Sequence, residues 1–145
     1  MLRTGFEEKL SSRLDTGFGL TSTTLTEVGL EIQLAANSSY WVELLVQLNS
    51  VLSTGSKLGL YYTGTWVLDN DTVVQLRPIV VGGVPTYPIS AGSAQEDTTP
   101  ENVYHFAGTV LTSTSGRLYV KAAKRSGADD DFPILAGSCL AARRL

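Results

Sequence analysis

Between Ser38 and Asn49 the chain reads SSYWVELLVQLN, and the even positions Tyr40, Val42, Leu44, Val46 and Leu48 are all apolar. A period of two sets those side chains on one side of an extended backbone, so the stretch predicts a strand with one face in a core. The odd positions are mixed, with Trp41 and Leu45 interleaved among Glu43, Gln47 and Asn49. A solvated sheet face is normally polar. This second face is half apolar, and a partner surface is expected to cover it.

The same alternation runs through most of the chain. TTLTEVGLEIQLA (23–35) sets Leu30, Ile32 and Leu34 against Glu31 and Gln33. KLGLYYTGTW (57–66), TVVQLRPIVV (72–81), VYHFAGTVLTS (103–113), GRLYVKAAKRS (116–126) and FPILAGSCLAARRL (132–145) read as further strands. Pro78 has no donor for a ladder and so predicts an edge or a bulge. Turn chemistry separates the strands at 35–37, at 53–56, at Asp69-Asn70-Asp71 and at 127–131. The segment 82–102, rich in Gly, Pro, Ser and Thr, is the longest without a period, and such loops are usually functional or mobile. About eight short strands with this punctuation and no interior helix predict an all-β antiparallel sandwich, with a jelly roll as first choice.

Residues 1–22 differ from the rest. Phe6, Leu10 and Leu14 are four apart, the spacing of one helix face, but Gly5, Gly17 and Gly19 bracket them. A helix this short is marginal alone. The expected organisation is an extended or partly helical arm over 1–22 that orders when its Phe/Leu stripe docks elsewhere, followed by a β domain over 23–145.

Composition narrows the function more than it names it. Hydrophobic residues make up 43% and charged residues 17% of 145, which excludes a disordered chain and leaves a bland surface suited to hiding against a partner. Net charge is −3, with cations gathered only at 121–125 and at Arg143-Arg144. Nucleic acid calls for a continuous cationic track, and none is present. No apolar run reaches the ~20 residues of a membrane span. A soluble chain made in a cytoplasm is expected, with no nucleic-acid or membrane partner.

Candidate chemistry is sparse. His105, the only histidine, lies inside a predicted strand without companions at ligand spacing, and the single Cys139 reads as a small core residue. Asp129-Asp130-Asp131, like Asp69 and Asp71, lacks the interleaved layout of a calcium loop and reads as a solvated turn. Asn37-Ser38-Ser39 and Asn70-Asp71-Thr72 match glycosylation acceptors but are most simply turns. No catalytic, cofactor or metal residues are assigned, and no enzyme is expected.

Two stretches near the end carry a resemblance. They are Gly116-Arg117-Leu118-Tyr119-Val120-Lys121-Ala122-Ala123 and Gly137-Ser138-Cys139-Leu140-Ala141-Ala142-Arg143, with the aromatic-bearing strand at 38–48 before them. This order resembles the capsid decoration (cement, or auxiliary head) proteins of tailed bacteriophages, whose domains are similar to tumour-necrosis-factor-like jelly rolls and usually form trimers. The resemblance spans roughly 23–145. It implies a homotrimer on the virion surface, bound to the major capsid protein and stabilising the head. Trp41 and Leu45, joined by Tyr61 and Tyr119, are the expected trimer contacts, and Phe6, Leu10 and Leu14 the expected capsid-binding arm. The rival expectation is a receptor- or glycan-binding module of a phage head or tail fibre, working through 82–102 and 126–132. A small jelly-roll hydrolase would need more histidines than one.

Overall fold

In the computed structural model of the protein, the described residues are 9–48, 56–67, 75–78, 89–90, 94–96, 103–124 and 132–145. Phe6, the turns at 69–71 and 127–131 and most of 82–102 lie outside them. The strands are β1 (Lys9–Arg13), β2 (Phe18–Leu20), β3 (Thr26–Leu34), β4 (Ser38–Gln47), β5 (Ser56–Tyr62), β6 (Gln75–Pro78), β7 (Ile89–Ser90), β8 (Ala94–Glu96), β9 (Val103–Thr112), β10 (Gly116–Lys124), β11 (Phe132–Ile134) and β12 (Cys139–Arg144). Among the described residues there is no helix.

Two antiparallel sheets face each other. One has the order β1-β12-β4-β9-β6-β7 and the other β3-β10-β5-β8, while β11 and β2 form a small third pair. Consecutive strands β3 and β4 lie in different sheets, as do β9 and β10. Such crossings make this a jelly-roll sandwich rather than a row of hairpins. The core is the sum of the period-two faces: Val28, Leu30, Ile32 and Leu34 of β3 and Leu118 and Val120 of β10 meet Tyr40, Val42, Leu44 and Val46 of β4 and Leu140 of β12. Those four residues of β4 are at most 1% exposed. The phenol of Tyr40 also accepts a hydrogen bond from the Ala35 amide at 2.9 Å, which satisfies a buried polar tip where the chain changes sheets.

The helix-like spacing of Leu10 and Leu14 resolves as strand. Lys9–Arg13 pairs residue by residue with β12, Leu10 lying opposite Ala142, and both leucines pack against the chain's own core. A short isolated helix pays its nucleation cost for few bonds, whereas β1 extends a ladder that already exists. At the other end of the chain, 132–145 is two strands rather than one. Gly137, at φ +94°, turns the backbone in a way L side chains resist, and Ser138 donates its amide to Leu135 O. The buried Ser138 hydroxyl oxygen then accepts from the Gln47 amide at 2.9 Å, tying this turn to the end of β4.

The open side of the sandwich, where edge strands β1 and β3 meet, is closed by a bulge. Tyr119 pairs with Glu31 but Lys121 pairs with Glu27, so β3 spends extra residues there, with Gly29 at φ +90°. The insertion is even, so Val28 and Leu30 stay on the core side with Ile32 and Leu34. The Glu31 amide donates to Ser12 Oγ at 3.1 Å, so a side chain of β1 takes the place of the missing ladder partner.

The outer face of the second sheet is a self-satisfied polar ladder. Arg117 pairs with both Glu27, at 2.7 Å, and Glu31. Its guanidinium lies 4.2 Å from the Tyr119 ring centroid, Tyr119 stacks on Tyr61 at 5.8 Å, and Lys121 lies 4.8 Å from the Tyr61 ring. Cations cover aromatic faces whose quadrupole attracts them. The Arg117 hydrogen bond holds the Glu27 carboxyl below its ordinary pKa.

Two outcomes follow. Gly29→Ala is expected to destabilise the fold by about 1–2 kcal/mol, the scale of backbone strain at positive φ, and Ser12→Ala by about 1 kcal/mol, both read by urea unfolding. Because the folded pKa of Glu27 is depressed, its contribution is present above the ordinary carboxylate value and is lost as pH falls through the lowered one. NMR titration should show Glu27 titrating below an ordinary glutamate, and Arg117→Gln should return it upward.

Candidate functional site: the outer face of the β12-β4-β9 sheet

The second face of β4 is placed by the registers of its neighbours. Trp41 sits between Arg143 and Thr109, Glu43 between Ala141 and Ala107, and Leu45 between Cys139 and His105. One pleat beyond Trp41, Ser39 faces Leu111 of β9, and the Leu145 amide donates to Ser39 O at 2.9 Å. The Val67 amide donates to Leu111 O, also at 2.9 Å, extending the same row. Leu145, Leu111 and Val67 therefore line up around the small Ser39, with Trp41 beside them. At the other end of β9, Val103 lies opposite Gln47 and points away from the core side occupied by Tyr104.

Among the described residues five large apolar side chains are exposed: Trp41 at 38%, Val67 at 39%, Val103 at 50%, Leu111 at 37% and Leu145 at 63%. All five belong to this one face. Scattered surface hydrophobes are ordinary, but a gathered set marks an interaction surface. The middle of the face is low and mostly apolar, built from the half-buried Leu45, Cys139 and Ala141 and the buried Ala107. The strip over β12, β4 and β9 is roughly 15 Å wide, from a strand spacing of about 4.8 Å.

One charged group stands inside that surface. Trp41 Nε1–H donates to Glu43 Oε1 at 3.0 Å, and His105 Nε2 is 3.7 Å from Glu43 Oε2. The carboxylate thus spans two heterocycles on adjacent strands. His105 is half-buried on this outer face, and Cys139, read from the sequence as core, is half-exposed beside Leu45. Among the described residues no cluster of three or more His, Cys, Asp or Glu forms a metal site.

Of the sequence-derived contacts, Trp41 and Leu45 share this face. Tyr61 and Tyr119 do not join them: they lie on the outside of the opposite sheet, within the Arg117–Lys121 ladder. Being out of phase with the core told only that each side chain points outward, and each of the two layers has its own outside. Val67, Leu111 and Leu145 were missed because no alternation singles them out. Only the β4–β9 and β4–β12 registers bring them to Trp41. Leu10 and Leu14 are half-buried against the core, and Phe6 lies outside the described residues.

No family model and no curated protein matches the sequence. Among solved structures, the Eiger TNF of S. frugiperda superposes with a TM-score of 0.52 at 13% identity, over 96% of this chain and 92% of that one. The infectious bursal disease virus Gx strain structure gives a TM-score of 0.37 at 18% identity, over 94% of this chain and 30% of that one. The EclA C-terminal domain, a sugar-binding protein, gives 0.38 at 11% identity, over 97% and 81%. The last two superpose too loosely to carry an argument. The first, nearly end to end in both chains, shows the fold: this is an all-β, antiparallel, TNF-like jelly roll.

Proposed function

We propose that this protein is a non-enzymatic virion structural protein, a tailed-phage capsid decoration protein that forms homotrimers and binds the major capsid protein on the outside of the head. The observation that carries the self-association is the gathering of four exposed large apolar side chains, Trp41, Val67, Leu111 and Leu145, at one end of one sheet face, with Val103 exposed at its other end. Full burial of a large apolar side chain contributes about 1.5–3 kcal/mol, and these side chains, 37–63% exposed, retain about half of that to gain on association. The opposite face, with its ion pairs and ring-covering cations already made, suits water. The phage and capsid parts of the proposal rest on the resemblance carried by 116–123 and 137–143.

In this reading the trimer works by linkage. A protein that binds only the assembled shell stabilises it by mass action, and three attachment points on one trimer raise avidity without stronger individual contacts. The attachment segment is 1–8, which precedes β1 and contains Phe6. The strands that begin at Lys9 belong to the sandwich itself, so a test of attachment must leave β1 in place.

Light scattering on the purified chain should give three times the 15.5 kDa chain mass. Trp41→Asp or Leu111→Asp should weaken assembly about a hundredfold or more, as truncating an interface anchor does, with the far-ultraviolet circular dichroism unchanged because both side chains lie outside the core. A wild-type monomer at high concentration overturns the trimer. Removing residues 1–8 should leave the trimer intact and reduce its binding to purified capsid shells. Undiminished binding would move attachment to another surface, and binding to cell-surface glycans in place of shells would favour the fibre-module reading.

A further inference from the structure

We infer that self-association through this face is linked to proton uptake at His105, so that copies assemble more tightly at mildly acidic than at mildly alkaline pH. The inference rests on the reading that a second copy of the chain covers the face, and it names what regulates that contact.

Among the described residues Glu43 is the only acidic group on this face, where Leu45, Cys139, Ala141 and Ala107 surround it, the exposed apolar rim lies beyond, and Thr109 and Arg143 flank Trp41. In the free chain its side chain is 51% exposed, and water serves its carboxylate. A second copy laid over the strip removes that water. Two groups of the chain then remain in contact with it: the Trp41 indole N–H at 3.0 Å and the His105 imidazole at 3.7 Å. An indole N–H is a single neutral donor and does not balance a charge. A desolvated carboxylate needs a countercharge as well as hydrogen bonds. Histidine is the side chain that gains and loses a charge near neutral pH, and His105 lies within ion-pair distance of Glu43 when it does.

The other charged groups around the site are cations at greater remove in register. Arg143 of β12 lies across from Trp41 rather than Glu43, and is exposed without an ion pair among the described residues. Lys9 and Arg13 of β1 lie one strand further out, opposite Arg143 and Cys139. Arg77 of β6 is in register with Ala107. Across β12 the immediate neighbour of Glu43 is Ala141, which brings no charge. His105 is therefore the cation-forming group in direct contact with the carboxylate.

The sign is fixed by the linkage. Covering the pair favours protonated His105, so association takes up protons. The added affinity is present on the acid side, where the imidazole carries its charge, and is lost as pH rises. One proton taken up per protomer changes association by up to about tenfold per pH unit for each protomer.

Sedimentation equilibrium of the full chain from pH 5.5 to 8 tests this. The expected result is association that weakens about tenfold or more across the range, with Glu43→Gln and His105→Gln each flattening the dependence. Since the chain has one histidine, its imidazole resonance is assigned by default. It should titrate at higher pH in the assembled wild type than in the monomeric Leu111→Asp variant, whose change lies far from His105 along β9. A stable oligomer whose association is flat with pH, or whose slope survives in Glu43→Gln, overturns the proton link while leaving self-association standing. A chain monomeric at every pH overturns both.

Discussion

A two-layer sandwich has one interior, and each of its sheets can turn only one face inward. Strand β4 is where that constraint bites hardest. Its even residues Tyr40, Val42, Leu44 and Val46 are sealed in the core, and the next strands on either side, β12 and β9, follow its register. Whatever lies on the other side of β4 is outside for the same geometric reason, and here it includes Trp41 and Leu45. The chain has no third layer among its described residues to place over them. The surface that most needs covering is thus a direct consequence of the strand that best builds the core.

The two outer faces resolve the same problem in opposite ways. On the second sheet, Arg117 answers Glu27 and Glu31 while also capping Tyr119, and Lys121 caps Tyr61. Each large ring there is shielded by a cation of its own sheet, and each charge faces water. On the first sheet the exposed apolar side chains share the face with a strip of small residues, with the Arg143 and Thr109 that flank Trp41, and with a single carboxylate among the described residues. Such an asymmetry gives the molecule a wet side and a side suited to contact. The carboxylate of Glu43 is answered locally, with Trp41 and His105 in reach.

The edges matter as much as the faces. An open sheet edge offers unpaired backbone groups to any passing strand. Here β1 runs along β12 and reaches across to β3, where Ser12 serves the amide left by the Gly29 bulge. The turn through Gly137 and Ser138 fastens the final strand to the end of β4.

The alternation of apolar residues by itself determined that the chain from Thr23 on is built of strands, that Leu30, Ile32 and Leu34 of β3, the even residues of β4 and Leu118 and Val120 of β10 face the core, and that β4 has a second face in excess. Period two is a local property, set by the pleat, and survives any tertiary arrangement. It could not say which outward side chains share a side of the molecule. Tyr61 and Trp41 look alike in the sequence, yet lie on opposite layers, because β4 and β5 belong to different sheets. The helix-like spacing of Leu10 and Leu14 became a strand because β12 offered a ladder, and the stretch at 132–145 broke at Gly137. The patch of Trp41, Val67, Leu111 and Leu145 exists only through the registers of β4 with β9 and β12. Pairing across strands is long-range, and that is why the tertiary structure alone decided it.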